Sequence, residues 1–222
     1  MSSGIETSGP RERILDAAAE EFGENGFAGA RIDGIARRAG VNKAAIYYHV
    51  GDKRALFSKV VIRTIGEVSE NLSRDLAKEP TAEGRIRTFI RNVTQAVGAR
   101  KWLPGLMMRE AASGGRDLAP EAARAITEMF GFFQNELKSG IAAGRFRSVD
   151  TITAHLLGVG GVLFFFSALP LFSEYIPASA GSSPDAREFA DSVSDILLNG
   201  LLRRPVDAGA VQTGLMHICL PL

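Results

Sequence analysis

Seven basic side chains fall within residues 31–59: Arg31, Arg37, Arg38, Lys43, Lys53, Arg54 and Lys59, against two acidic ones, Asp33 and Asp52. The local balance is +5 in a chain whose total is +1. Such a cluster suits a polyanion, because each phosphate it neutralises releases counterions. The competing reading is a solvated helix pair with incidental charge. Tyr47, Tyr48, Asn42 and His49 lie in the same stretch and can hydrogen-bond to bases or phosphates. Other chemistry-bearing residues are scattered. His49, His155, His217 and Cys219 share no metal-ligand spacing, and the chain has no nucleophile elbow and no Gly-rich phosphate loop. Neither an enzyme, a metal site nor a cofactor is expected. Near-zero net charge also argues against generic coating of nucleic acid, so contact with DNA should be local to the basic stretch.

Two short helices must position these groups. Ile32 to Arg38 carries Ile32, Ile35 and Ala36 at helical spacing. Gly40, in Ala39-Gly40-Val41, can take the positive φ of a tight turn. Asn42 can cap a second helix, Lys43 to His49, whose Ala45 and Ile46 face inward. Lys43, Ala44, Tyr47 and Tyr48 are left to project. The result is a helix-turn-helix whose second helix fits a DNA major groove.

This stretch resembles the start of the tetracycline-repressor (TetR) family of transcriptional regulators, over roughly Arg11 to Val61. The resemblance rests on Ile35, Ala36, Ala39, Gly40 and Val41, on the run Ile46-Tyr47-Tyr48-His49-Val50, and on Lys53-Arg54-Ala55-Leu56. Two positions depart from the family pattern. Ala30 and Arg31 stand where members commonly carry Thr, and Gly34 stands where many carry an acidic residue. The first change removes a hydroxyl cap, although Arg31 offers a stronger phosphate contact. The second weakens the helix by up to about 1 kcal/mol.

The remaining chain reads as helical throughout, giving an all-α protein of about nine helices. Arg11 to Glu24 is amphipathic, with Ile14, Leu15, Ala18 and Phe22 inward; Asn25-Gly26 ends it, and Phe27 plugs the small core. Asp52 caps a long helix from Lys53 to about Lys78, with Leu56, Val60 or Val61, Ile65, Val68, Leu72 and Leu76 in one stripe. Further helices are expected over 81–99, 102–112, 120–143, 150–175 and 185–204. In the last of these Phe189, Val193, Ile196, Leu197 and Leu201 face inward. The domain reading is a disordered leader at 1–9, a helix-turn-helix domain at 10–58 and a helical effector-binding and dimerisation domain at 59–204. The tail at 205–222 has no readable role. The leader lacks the pattern of a signal peptide, and a single cysteine fits a reducing cytoplasm.

Leu156 to Phe172 is 17 uncharged residues with three glycines and Pro170, at the lower limit for spanning a bilayer. A buried helix at a subunit interface fits better, so no membrane partner is expected. The two late apolar helices leave more apolar surface than one body needs to bury, which marks an interface. The resemblance implies a homodimer through helices 150–175 and 185–204. Its paired reading helices would meet a palindromic operator in double-stranded DNA.

Base contacts are expected from Lys43, Ala44 and Tyr47, and phosphate contacts from Arg31, Asn42, Tyr48, His49 and Lys53. For either tyrosine, the alternative is a ring packed on the long helix. The body is rich in flat or adaptable side chains, including Met108, Met129 and Phe164 to Phe166, and Trp102, Met107, Glu110, Phe130, Phe133 and His155 are the candidate lining of an effector pocket. Arg109 is a further polar candidate. Residue by residue such side chains are more often core, and His155 reads more often as a capped or satisfied histidine than as a ligand contact. The resemblance is what implies a small apolar effector that releases a repressor from DNA. The alternatives are a regulator without a small-molecule switch and a helical adaptor for an acidic partner.

Overall fold

The structure, a computed structural model, describes residues 9–175 and 185–202. The expected leader apart from Gly9, residues 176–184 and the tail with His217 and Cys219 lie outside the described residues. Within them the chain is all-α. The elements are α1 (Pro10–Gly29), α2 (Ile32–Ala39), α3 (Lys43–His49), α4 (Lys53–Leu76), α5 (Ala82–Gly98), α6 (Leu103–Ala112), α7 (Pro120–Ala142), α8 (Thr151–His155), α9 (Gly161–Tyr175) and α10 (Ala186–Leu201). A π turn, Leu156–Gly160, joins α8 to α9, so the two form one rod and the described residues hold nine helices. Four of the starts carry side-chain caps, the one at Asp52 as expected. Asp52 accepts from the Ala55 amide at 2.8 Å, and Thr81 from the Gly84 amide at 3.0 Å. Asp150 takes the Thr153 amide at 2.8 Å, and Asp185 closes a capping box with Glu188.

Some boundaries differ from the expectation. Asn25-Gly26 does break α1, because Gly26 takes φ 67°, but one more turn follows it to Gly29. The long helix stops at Leu76, two residues early. The apolar rod is interrupted at Leu156–Gly160, where Gly158 lets neighbours close in. A Cβ at Gly158 would lie 2.9 Å from Ile90 Cδ1 and 3.1 Å from Leu197 Cδ1. The last helix ends at Leu201, after which Leu202 bridges Phe146 and the Arg147 amide donates to the Leu201 carbonyl at 2.9 Å. Ile196 was expected inward and is 73% exposed instead. The inward face of α10 is completed by Ala190 and Ser194, small residues that let it lie close on α5.

Two apolar clusters make the core. The first joins Ile14, Leu15, Ala18 and Phe22 of α1 to Ile35 of α2, Ile46 of α3 and Leu56, Phe57, Val60 and Val61 of α4. Phe22 meets Phe57 edge-on at 4.9 Å, and Phe27 sits 5.2 Å from Phe57, so it does plug this core. Each such side chain contributes about 1.5–3 kcal/mol on burial. Leu106 of α6 and Ala122 of α7 belong to the same cluster, so the small N-terminal unit leans on the body. The second cluster fills the body with Leu72, Leu76, Ile86, Phe89, Ile90, Phe133, Leu137 and Val162. Ile65 and Trp102 touch both clusters.

Polar ties join the N-terminal unit to the body and brace the body itself. Arg63 of α4 reaches Glu12 at 3.0 Å and Asp16 at 2.7 Å, both on α1. Arg85 grips Glu136 through two nitrogens and donates to the Leu76 carbonyl at 2.7 Å. Arg109 of α6 donates to the Gly23 carbonyl of α1. Gly23 is obligatory there, since a Cβ would stand 2.2 Å from Trp102 Cβ.

Candidate nucleic-acid interface

The turn between α2 and α3 follows from local chemistry. Gly40 takes φ 65° and ψ 39° at the end of α2, and the Val41 amide donates back to the Ala36 carbonyl at 3.0 Å. Asn42 Oδ1 accepts from the Ala45 amide at 2.8 Å and starts α3. Ile46 is fully buried and fixes the rotation of α3, with Ala45 half-buried beside it. That rotation turns Lys43, Ala44, Tyr47 and Tyr48 outward on one short helix. Tyr47 is 54% and Tyr48 86% exposed, so neither ring packs on the long helix. Such a surface, small at Ala44 and hydrogen-bonding at Lys43 and Tyr47, suits base edges and a thymine methyl.

The basic cluster sorts into tied and free groups. Arg38 is held by Glu20 at 3.3 Å, by Glu21 at 3.3 Å and by Glu24. Lys43 pairs with Asp33 of α2 at 2.6 Å. Lys53 donates to the Ala28 carbonyl at 3.2 Å and sits 4.9 Å from the centre of the Phe27 ring. Lys59 closes on the Val50 carbonyl at 2.8 Å. The guanidiniums of Arg31, Arg37 and Arg54 have no partner among the described residues. Of the five expected phosphate groups, then, Arg31 and Tyr48 project freely. His49 is half-buried against the Tyr48 ring at 5.0 Å, and Asn42 and Lys53 already serve the fold. Arg37 and Arg54 were not expected as contacts. Counting charges does not find them, because the sequence does not say which cations the protein's own carbonyls and carboxylates consume.

The six candidate pocket residues are brought together only in part. His155, 8% exposed, lies 4.0 Å from the Phe130 ring, 5.5 Å from Phe133 and 6.3 Å from Phe89. Its Nδ1 is buried without a partner, and burial pushes the imidazole down to about 4. Glu110 is also buried, with Oε2 unpartnered; burial raises its carboxyl above the ordinary range and Asp117 adds to this. Trp102 and Met107 are half-buried against the body core. Among the described residues, four of the surface clefts hold about 320 to 450 Å³, and none of these four is lined by any of the six. Met108 and Phe164 face outward, at 36% and 57% exposure. Arg109 points to α1 rather than into the body.

Similarity to known proteins follows the same division. Residues 14–60 match the family described as bacterial regulatory proteins, tetR family. The repressor NicS of Pseudomonas putida is 26% identical over 198 residues, 87% of this chain and 92% of that protein. The repressor SCO4008 of Streptomyces coelicolor is 49% identical over 51 residues, 23% of this chain and 27% of that one. Among solved structures, the fatty acid degradation regulator FadR of Bacillus halodurans superposes with a TM-score of 0.69 at 18% identity, covering 89% of this chain and 97% of that one. FadR of Bacillus subtilis, solved with stearoyl-CoA, gives 0.67 at 21% identity over 85% and 98%. With this N-terminal match and a near full-length repressor relative, the chain carries the N-terminal unit of the tetR family of bacterial regulatory proteins.

Proposed function

We propose that the chain is a cytoplasmic homodimeric repressor that reads a palindromic operator and is released by a small apolar effector. The family function, DNA binding for transcriptional regulation, is the base of this reading. The observation that carries the operator assignment is α3, with Lys43, Ala44 and Tyr47 outward over a buried Ile46. Residues 10–58 act as the reading head and 59–204 as the effector-binding and dimerisation body. Lys43, Ala44 and Tyr47 contact bases; Arg31 and Tyr48 position the backbone, joined by Arg37 and Arg54.

The dimer is supported by an exposed apolar surface. Ile152, Leu156, Leu157, Phe164, Leu171 and Ile196 are each at least half exposed, on α8, the π turn, α9 and α10. The rod from Thr151 to Phe172 is long and apolar enough to cross a membrane by length and composition. Covering by a second subunit accounts for the same surface.

The effector is supported by the unpartnered Nδ1 of His155 inside a ring of phenylalanines and by a neighbour of the same fold that holds an acyl-CoA. Binding there would part Phe130 from His155 and shift the population toward a body whose heads mismatch the operator. The close packing of Phe130, Phe133 and Phe89 on His155 supports a second reading, a repressor without a small-molecule switch.

The experiment is selection of bound duplexes from a random pool, followed by anisotropy titration of the enriched duplex with and without stearoyl-CoA. A palindromic consensus, lost in K43A/Y47A while the dimer persists, is the expected result. Unchanged affinity in that variant would overturn the base-contact assignment, and no release by long-chain acyl-CoAs or fatty acids would favour the switchless reading.

A further inference from the structure

The start of α2 is unusual. Its N-cap residue, Arg31, gives no side-chain cap, and the third helical position, where an acidic residue reaches back to the N-cap amide in a capping box, is Gly34. The missing carboxylate comes from another helix. Glu21 of α1 is 7% exposed, and its Oε1 accepts the Arg31 amide at 3.2 Å. Its Oε2 takes Arg38 Nε at 3.3 Å. The carboxylate fills the space over Gly34: a Cβ there would be 2.8 Å from both Glu21 oxygens.

We infer that Glu21 is a positioning residue for DNA recognition, acting as the cap of α2 from outside that helix, with Gly34 as the gap that admits it. Its hydrogen bond is the one an acidic side chain at position 34 would make within α2. Loss of the carboxylate leaves a part-buried amide unpaired and loosens Arg38 from the α1 face. The displacement reaches the reading surface by two short routes. Arg31 is itself a free cation at the head, and Asp33, next to Gly34, holds Lys43 of α3. Glu21 touches no nucleic acid in this arrangement. It fixes where the groups that do so stand.

The inference rests on residues 31–57 as the reading head, and a reciprocal exchange tests it. E21A removes the carboxylate, and E21A/G34E returns one from within α2. Affinity for the duplex enriched by the wild-type protein should fall roughly tenfold in E21A. It should return to within about threefold of wild type in E21A/G34E, because a helix-internal capping box supplies the same bond. Amide exchange at Arg31 supplies a readout that needs no DNA. Protection should be lost in E21A and recovered in the double variant, with α5 and α7 unchanged. If E21A fails to fold, E21A/G34E should still fold and bind, whereas two unfolded variants would overturn the capping role. Wild-type affinity in E21A, or no recovery of Arg31 protection in the double variant, overturns the inference. A head that keeps its protection pattern but enriches no duplex would instead overturn the DNA assignment.

Discussion

Lys43, the leading candidate for base contact, is held by Asp33 at 2.6 Å across the turn between α2 and α3. Both side chains are more than half exposed, so the pair is worth little to stability, roughly 0–1 kcal/mol. Its weight is in binding. The carboxylate orients the ammonium and also sets a negative charge beside the surface that meets DNA. Replacing Asp33 by Asn should free Lys43 for any phosphate. Affinity for mixed-sequence duplex should rise by roughly 3–10-fold at low salt, and the salt slope should steepen by up to about one unit per head. Discrimination between the enriched and a random duplex should shrink. Anisotropy titrations at several salt concentrations measure all three.

The free and the tied cations should separate by experiment. R37A and R54A remove guanidiniums that have no partner among the described residues, so each should weaken binding to all sequences and flatten the salt slope by about one unit per head. Their melting temperatures should stay close to wild type. K53A should differ, because Lys53 caps the Ala28 carbonyl and lies over Phe27. It should cost about 1 kcal/mol of stability in addition to any binding effect. Parallel denaturant melts and salt titrations of the three variants decide the sorting.

His155 predicts a pH dependence of stability. Its folded-state value, about 4, lies below the ordinary 6.5, so the unfolded chain takes up the proton first as pH falls. The stabilisation is complete above about pH 6.5 and is lost progressively toward pH 4, by up to about 3 kcal/mol. Glu110 works in the opposite sense, since a raised carboxyl value favours the folded state at lower pH. Replacing His155 by Phe, which fits among Phe89, Phe130 and Phe133, should flatten the loss between pH 6.5 and 4. Urea denaturation at a series of pH values reads the difference.

Ile196 is the most exposed large apolar side chain on α10, at 73%. A charge there should disturb the proposed dimer face without touching the body core. I196E should shift the protein toward monomer in sedimentation and weaken operator binding at least about tenfold, because two linked heads bind far better than one. Folding of each subunit should persist. An I196E protein that stays dimeric would move the interface elsewhere.

The residues that sequence alone determined are those whose partners sit within a turn of the helix. Asn42 and Asp52 cap the helices that follow them, and Gly40 makes its turn, because each needs only amides two or three positions away or its own φ. The apolar stripes of α1, α4, α5 and α7 are equally local, being a matter of period. Tertiary structure decided what depends on distant partners. Gly34 reads as a weakness until Glu21, thirteen positions earlier, is placed over it. Arg38 counts toward the basic cluster and Lys53 reads as a phosphate contact, and tertiary structure ties both to α1. Ile196 is apolar at helical spacing, but the small faces of Ala190 and Ser194 are what α5 admits. His155 is one residue in an apolar run until three rings from two other helices strip it of water. Short-range hydrogen bonds and periodicity are written in neighbouring residues, whereas burial, pairing and desolvation are set by chain segments that meet only once packed.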